Sequence, residues 1–175
     1  FVITGGGEPT LLAHGKLVGL VRTGARFFSR TVLITNGYAL GHASDSDRLR
    51  MLGDYRSAGL GVLAISRHDV ERNSAIMGVE TRSETIPDSV RQIEGLSLRW
   101  ICVLQKAGVA NESGLRRYLD WVVETGAPEV CFKELYVATS RESPYSLTDY
   151  NRWSLDQQVP MSLVHGFLER QGAEP

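Results

Sequence analysis

Apolar positions along this 175-residue chain fall into two rhythms. Short, mostly apolar runs read as buried β-strands: TVLIT at 31–35, VLAIS at 62–66, LRWICVL at 98–104 and VCFKELYV at 130–137. Residues 1–4 read as the end of another strand. Between these runs the spacing becomes helical. Residues 11–28 carry Leu17, Val18, Leu20 and Val21 at helical intervals, weakened by Gly15, Gly19 and Gly24. Asn36-Gly37 stops the second strand. A helix over 45–58 follows, with Ser44, Asp45 or Ser46 as its N-cap and Leu49, Leu52 and Tyr55 on its inner face. Pro87 suits the first turn of a short helix through Ile93. A further helix over 113–125 turns Leu115, Leu119, Val122 and Val123 inward, and Gly126 suits its left-handed exit. Residues 67–84 are polar and aperiodic and read as a long loop. Residues 139–158 are polar and turn-rich, and Pro160 opens a last short helix through Leu168.

Strands that are apolar throughout and alternate with helices predict a parallel sheet covered by helices. At least four parallel strands are expected, near 31–35, 62–66, 98–104 and 130–136. Right-handed crossovers bring every strand's C-terminal end to one side, where barrels and open α/β sheets carry their chemistry. The chain shows no internal repeat.

Composition changes this picture little. An apolar share of 42% and a charged share of 22% suit an ordinary globular domain. The net charge of -1 gives no case for a nucleic-acid partner. No run reaches membrane-span length and no signal peptide is visible, so no membrane association and a cytoplasmic location are expected. The two cysteines, Cys102 and Cys131, lie far apart in strand-like runs, with neither a disulfide framework nor a Cys-x-x-Cys site. Both are expected to be buried and structural. His14, His42 and His165 lack metal-ligand spacing, and no Gly-x-Ser-x-Gly elbow occurs. The chain begins at Phe1 without a Met, inside a strand, which points to the middle of a longer protein.

The most informative stretch is ITGGGEPTLL. Gly5, Gly6 and Gly7 stand at a strand end, followed by Glu8 and Pro9. Glycines there let a ligand approach the backbone. A phosphate cradle is disfavoured, because no Gly-Lys-Ser/Thr follows and a carboxylate repels phosphate. Glycine carbonyls beside a carboxylate suit a cation such as an ammonium group; a plain turn with a solvated Glu is the alternative. Thr35 and Asn36 either face a ligand at a strand mouth or serve turn chemistry. Ser66, Arg67 and His68 end another strand and suit a site rim, with His68 alternatively a solvated loop residue. Glu134 lies on a strand, opposite Lys133 in the alternation, and is a candidate to point inward. Tyr145, Tyr150 and Trp153 are expected to pack beneath the polar extension.

ITGGGEPTLL resembles the Gly-Gly-Glu-Pro motif of the radical S-adenosylmethionine (radical SAM) superfamily. LITNGYAL is similar to that family's third strand, which commonly ends Thr-Asn-Gly, and LAISRH to its fourth. Residues 100–137 resemble its fifth strand, helix and sixth strand. The resemblance implies a partial (βα)6 TIM-type α/β barrel over 1–137, with the first βα unit missing, and a C-terminal extension over 138–175 with a short helix. It implies S-adenosylmethionine as cofactor: Gly6, Gly7, Glu8 and Pro9 at the methionine end, Thr35, Asn36, Ser66 and His68 on the rim, and the backbone up to Leu135 at the adenine. It also implies a 4Fe–4S cluster, whose Cys-x-x-x-Cys-x-x-Cys ligands this chain lacks. The activity implied is reductive cleavage to a 5′-deoxyadenosyl radical that abstracts hydrogen from a small-molecule or peptide substrate, with an electron-donor protein as partner. Without the three thiolates the chain alone is expected to be inactive. The alternative is a non-catalytic α/β barrel remnant that binds a small ligand or a partner protein.

Overall fold

The computed structural model describes residues 1–5, 7–140 and 143–172. Five strands form one sheet: β1 (Val2–Ile3), β2 (Val32–Thr35), β3 (Val62–Ser66), β4 (Ser97–Leu104) and β5 (Glu129–Glu134). Their spatial order follows the chain, β1-β2-β3-β4-β5, and every pair is parallel. The α/β class and the parallel pairing agree with the alternation of apolar runs and helices. The sheet is open, with β1 and β5 as its two edges.

The helices are α1 (His14–Phe27), α2 (Tyr38–His42), α3 (Asp45–Ser57), α4 (Asn73–Met77), α5 (Ile86–Arg91), α6 (Glu112–Glu124), α7 (Asp149–Gln157) and α8 (Ser162–Arg170). One face of the sheet, with Leu33, Leu63, Ile65, Trp100, Cys102 and Leu104, shares a core with Leu17 and Val21 of α1, Leu52 and Tyr55 of α3, and Leu115 and Tyr118 of α6. Val164 and Phe167 of α8 join the same core, so the C-terminal extension packs with the sheet. The opposite face has a small cluster made of strand residues: Val32, Val62, Ala64 and Ile101, with Ile34 and Cys131 beside them. No helix residue joins this second cluster, yet Val32, Val62, Ala64 and Ile101 are each at most 6% exposed, so the strands are buried on this helix-free side too.

Several elements depart from the sequence reading. Residues 9–11 form a 3-10 turn, and α1 starts only at His14. Inside α1, Gly24 is required: a Cβ there would meet the Phe1 ring at 2.0 Å. Ser44 proves to be the N-cap of α3, its hydroxyl accepting from Asp47 N at 3.2 Å. On α3, Leu49 is only half-buried, while Arg48 is 4% exposed. Arg48 donates to the carbonyls of Leu40 (2.8 Å), Ala43 (3.0 Å) and Thr85 (3.1 Å), and to Asp45 (3.0 Å). It thereby ties the end of α2 to the start of α5. On α6, Val123 is exposed, and the inward position falls to Tyr118.

Residues 67–84 are not a featureless loop. They hold α4, a 3-10 turn at Ser83–Thr85, and a buried polar knot. Arg67 donates to Ser83 Oγ, Glu84 and the Val70 carbonyl, at 3.0, 2.9 and 2.6 Å. Asp69 accepts from the Glu71 and Arg72 amides, and Asn73 accepts from His68 N. Mutual satisfaction of small polar groups orders the segment without apolar periodicity. The knot packs against α2 so closely that a Cβ on Gly41 would lie 2.0 Å from the Thr81 carbonyl oxygen. Gly41→Ala is therefore expected to cost about 2 kcal/mol or more, by overpacking against backbone; a thermal melt unchanged from wild type would contradict this close approach.

The tail departs most. Residues 149–157 form α7, which buries Asn151 and Ser154 and leaves Tyr150 75% and Trp153 50% exposed. Tyr145 is half-buried, with its ring 5.6 Å from that of Tyr136. The aromatics therefore do not pack beneath the extension. The rotation of α7 is set by Asn151, whose side chain accepts from Ala138 N (2.8 Å) and donates to Ala138 O (3.2 Å) and Ser146 O (3.1 Å). It does for this irregular backbone what a neighbouring strand would do.

Candidate functional site

Thr4 and Gly5 follow β1, and the chain then turns through Gly7 and Glu8 into Pro9. Pro9 suits the first position of the 3-10 turn, since no N–H is needed there. Glu8 is its N-cap. One carboxylate oxygen accepts from Thr10 N (2.9 Å), Thr10 Oγ1 (2.6 Å) and Thr35 Oγ1 (2.5 Å). The other accepts from Asn36 N at 2.6 Å. Glu8 thus laces the glycine loop to the C-terminal end of β2. Its role as a solvated turn residue is not what the geometry shows.

Asn36-Gly37 makes the local turn expected of it. Gly37 has φ +80°, and a Cβ there would lie 3.2 Å from Ile65 and Ile86. Asn36 Oδ1 accepts from Tyr38 N at 2.8 Å. Its Nδ2 and the Ser66 hydroxyl make no hydrogen bond among the described residues. The parallel register sets Thr35 beside Ile65 and hence brings Ser66 level with the Asn36 turn. Between them lies a mouth of about 250 Å³ lined by Thr4, Gly5, Gly7, Glu8, Pro9, Ile34, Thr35, Asn36 and Ser66. Gly7, Glu8, Pro9, Thr35, Asn36 and Ser66 are therefore gathered at one place, at the C-terminal ends of three parallel strands. Gly6 lies outside the described residues. Thr10 and Ile34 belong to the site and went unnoticed; the Glu8-x-Thr10 spacing, which lets a hydroxyl cap its neighbour's carboxylate, was the available signal for Thr10.

The remaining candidates sit elsewhere, Arg67 in the buried polar knot of 67–84. His68 does not line the mouth; its Nδ1 accepts from Val103 N at 3.1 Å, and burial pushes its pKa down to about 4. The ring is a neutral clasp between the exit of β3 and β4. Leu135 follows β5 at the far side of the sheet, and its carbonyl accepts from Gln158 Nε2 at 3.4 Å. Glu134 is exposed, lies on the same side as Phe132, and accepts from the Met161 amide, so it does not face the helix-free side of the sheet. Lys133 does.

The donor set fits an amino-acid group. The Glu8 oxygen with a single donor, together with the loop carbonyls, suits an ammonium; Asn36 Nδ2 and Ser66 Oγ suit a carboxylate. An iron–sulfur cluster does not fit the cysteines of this chain. Cys102 is buried on the helix-covered face, whereas Cys131, expected to be buried, is only half-buried on the other, so the two thiols lie on opposite sides of the sheet. Burial and Asp69 push the Cys102 thiol far up. Among the described residues no group of three or more His, Cys, Asp or Glu is placed to hold a metal ion, and no helix is long and apolar enough to cross a membrane. The chain has no match among protein-family models and no significant match among curated proteins.

Proposed function

We propose that this chain is the methionine-binding part of a radical SAM enzyme, taking the amino-acid end of S-adenosylmethionine at the Glu8–Asn36–Ser66 mouth. The observation that carries the reading is the Glu8 carboxylate, laced to β2 with one oxygen lightly engaged, beside two unpaired donors at the strand ends. The open, sequential parallel sheet is what part of a (βα)6 barrel would present. In the resembled family this cofactor supplies hydrogen-atom abstraction from a small-molecule or peptide substrate after reduction by an electron donor. The residues here bind and orient; no step through a cluster is assigned to them, because their two cysteines cannot hold one. That mismatch also favours a second reading, a non-catalytic α/β domain that binds a small amino acid-like ligand at the same mouth.

Titration calorimetry with S-adenosylmethionine and with methionine tests both. Wild type is expected to bind S-adenosylmethionine. Ser66→Ala, whose hydroxyl has no partner to lose, and Glu8→Gln are each expected to weaken binding about ten-fold or more, the worth of one charge-assisted hydrogen bond being about 1.5–3 kcal/mol. No binding by wild type, or unchanged affinity in both variants, sinks the methionine-end assignment. Equal affinity for methionine and S-adenosylmethionine favours the second reading. Chemically reconstituted with iron and sulfide, the chain is expected to give no stable cluster signal and to release no 5′-deoxyadenosine.

A further inference from the structure

Glu8 accepts four hydrogen bonds, and they fall unevenly on its two carboxylate oxygens. Oε1 takes three, from the Thr10 amide at 2.9 Å, the Thr10 hydroxyl at 2.6 Å and the Thr35 hydroxyl at 2.5 Å. Oε2 takes one, from the Asn36 amide at 2.6 Å. A carboxylate offers about four lone-pair sites over its two oxygens, so Oε1 is filled and Oε2 keeps a free direction. The two hydroxyls stand 3.4 Å apart, farther from each other than from Glu8, so each spends its single hydrogen on the carboxylate. Their burdens differ. Thr35 lines the mouth, and its oxygen also accepts from the Gly37 amide at 3.0 Å, so it serves the Asn36-Gly37 turn as well. Thr10 is 6% exposed, stays behind the lining of the mouth, and has no such second duty. The cap of the 3-10 turn is made by its backbone N–H, which survives loss of the hydroxyl. What the Thr10 hydroxyl adds is a second grip on the oxygen that the turn already holds.

We infer that Thr10 is a positioning residue of the mouth: its hydroxyl locks the Glu8 carboxylate with Oε1 toward the 3-10 turn and Oε2 toward a ligand's ammonium, and so sets the mouth's affinity for an amino-acid end. The terminal torsion of a glutamate is broad, so a carboxylate held at one point rotates among several directions. One held in advance loses no freedom when the ligand arrives, and more of the charge-assisted hydrogen bond appears as affinity. Thr10 acts only through Glu8, since it does not line the mouth. The ligand in this inference rests on the mouth's reading as a methionine-binding site, whereas the grip on Glu8 stands on the geometry alone.

Amide hydrogen exchange of the full chain reads the grip without a ligand, because the Asn36 N–H is held by the other Glu8 oxygen. Thr10→Val keeps the side chain's shape and removes the hydroxyl; Thr10→Ser keeps the hydroxyl. Asn36 exchange is expected to quicken about five-fold in Thr10→Val, the worth of one ordinary hydrogen bond, and to return to the wild-type rate in Thr10→Ser. Calorimetry with S-adenosylmethionine and with methionine reads the consequence. Thr10→Val is expected to weaken the binding shown by wild type about five-fold, and Thr10→Ser to restore it. Added to Glu8→Gln, Thr10→Val is expected to cost nothing further, because no charged oxygen is left to aim; a merely structural role would cost the same on both backgrounds. Unchanged Asn36 exchange, a loss that serine does not restore, or an equal loss on both backgrounds would overturn the inference. A wild type that binds neither ligand while Asn36 exchange follows the expected pattern would locate the failure in the methionine reading and not in the grip.

Discussion

Arg48→Ala is expected to destabilise the fold by about 3–5 kcal/mol, the range for stripping one member from a buried charged network. The guanidinium is 4% exposed and answers three backbone carbonyls, those of Leu40, Ala43 and Thr85. Truncation to Ala leaves those oxygens without a donor in a place water reaches poorly, and each such orphan costs about 1–3 kcal/mol. Arg48→Lys should recover only part of the loss, since an ammonium cannot spread its donors over carbonyls that the planar fork reaches together. Asp45 is the acidic partner, but its side chain is 91% exposed, so Asp45→Ala should change stability by less than about 0.5 kcal/mol. Urea unfolding followed by circular dichroism measures all three. A midpoint for Arg48→Ala close to wild type, or a large loss for Asp45→Ala, would show that the carbonyls are not what holds this charge.

The second large effect is one of pH. His68 has a native pKa pushed down to about 4 by burial, against 6.5 when unfolded. Between these values the unfolded chain binds a proton that the native chain refuses. Stability contributed by the neutral ring is thus complete above pH 6.5 and lost progressively as pH falls toward 4. The full loss is about 3 kcal/mol, at 1.36 kcal/mol per pK unit. Protonation has a local target: Nδ1 receives the Val103 N–H, and a proton there ends that bond. His68→Gln retains an acceptor but no titration. Its stability difference from wild type should shrink, or change sign, as pH is lowered through this window. A difference that stays constant across it would mean that the ring is charged, or solvated, in the folded protein.

The strands were legible because parallel strands buried on both faces must be apolar along their length, and four such runs stand out. The mouth was legible for a different reason. Gly-rich turns, Asn-Gly and a terminal Ser are punctuation marks that fall where strands end, so Glu8, Asn36 and Ser66 could be set on one side before any distance was known. Sidedness was not legible. Alternation separates Lys133 from Glu134, but which of them faces the helices depends on Val130 and Phe132 finding the helix-covered core. Arg48 and Asn151 were missed because a charged or amide residue reads as surface, and what buries them is a set of carbonyls contributed by distant turns. The same holds for 67–84, where Asn73, Thr81 and Ser83 are linked through their side chains, Asp69 takes the Glu71 and Arg72 amides, and no period betrays them. His68 was placed on the rim by its position after a strand; its ring instead turns to the neighbouring strand's backbone.

The agreement between strand order in space and in sequence has a consequence for how the chain is made. Each strand pairs with the one synthesised just before it, and the helix that joins them is the helix that covers them. No strand waits for a later one to be inserted between it and its neighbour. A growing chain can therefore add finished βα layers to the edge as they leave the ribosome, at about 5–20 residues per second. The Glu8 lacing forms early in this order, as soon as β2 and the Asn36 turn emerge, long before the residues of β5 exist. The residues of the Glu8–Asn36–Ser66 mouth are therefore all made before β4 and β5 are.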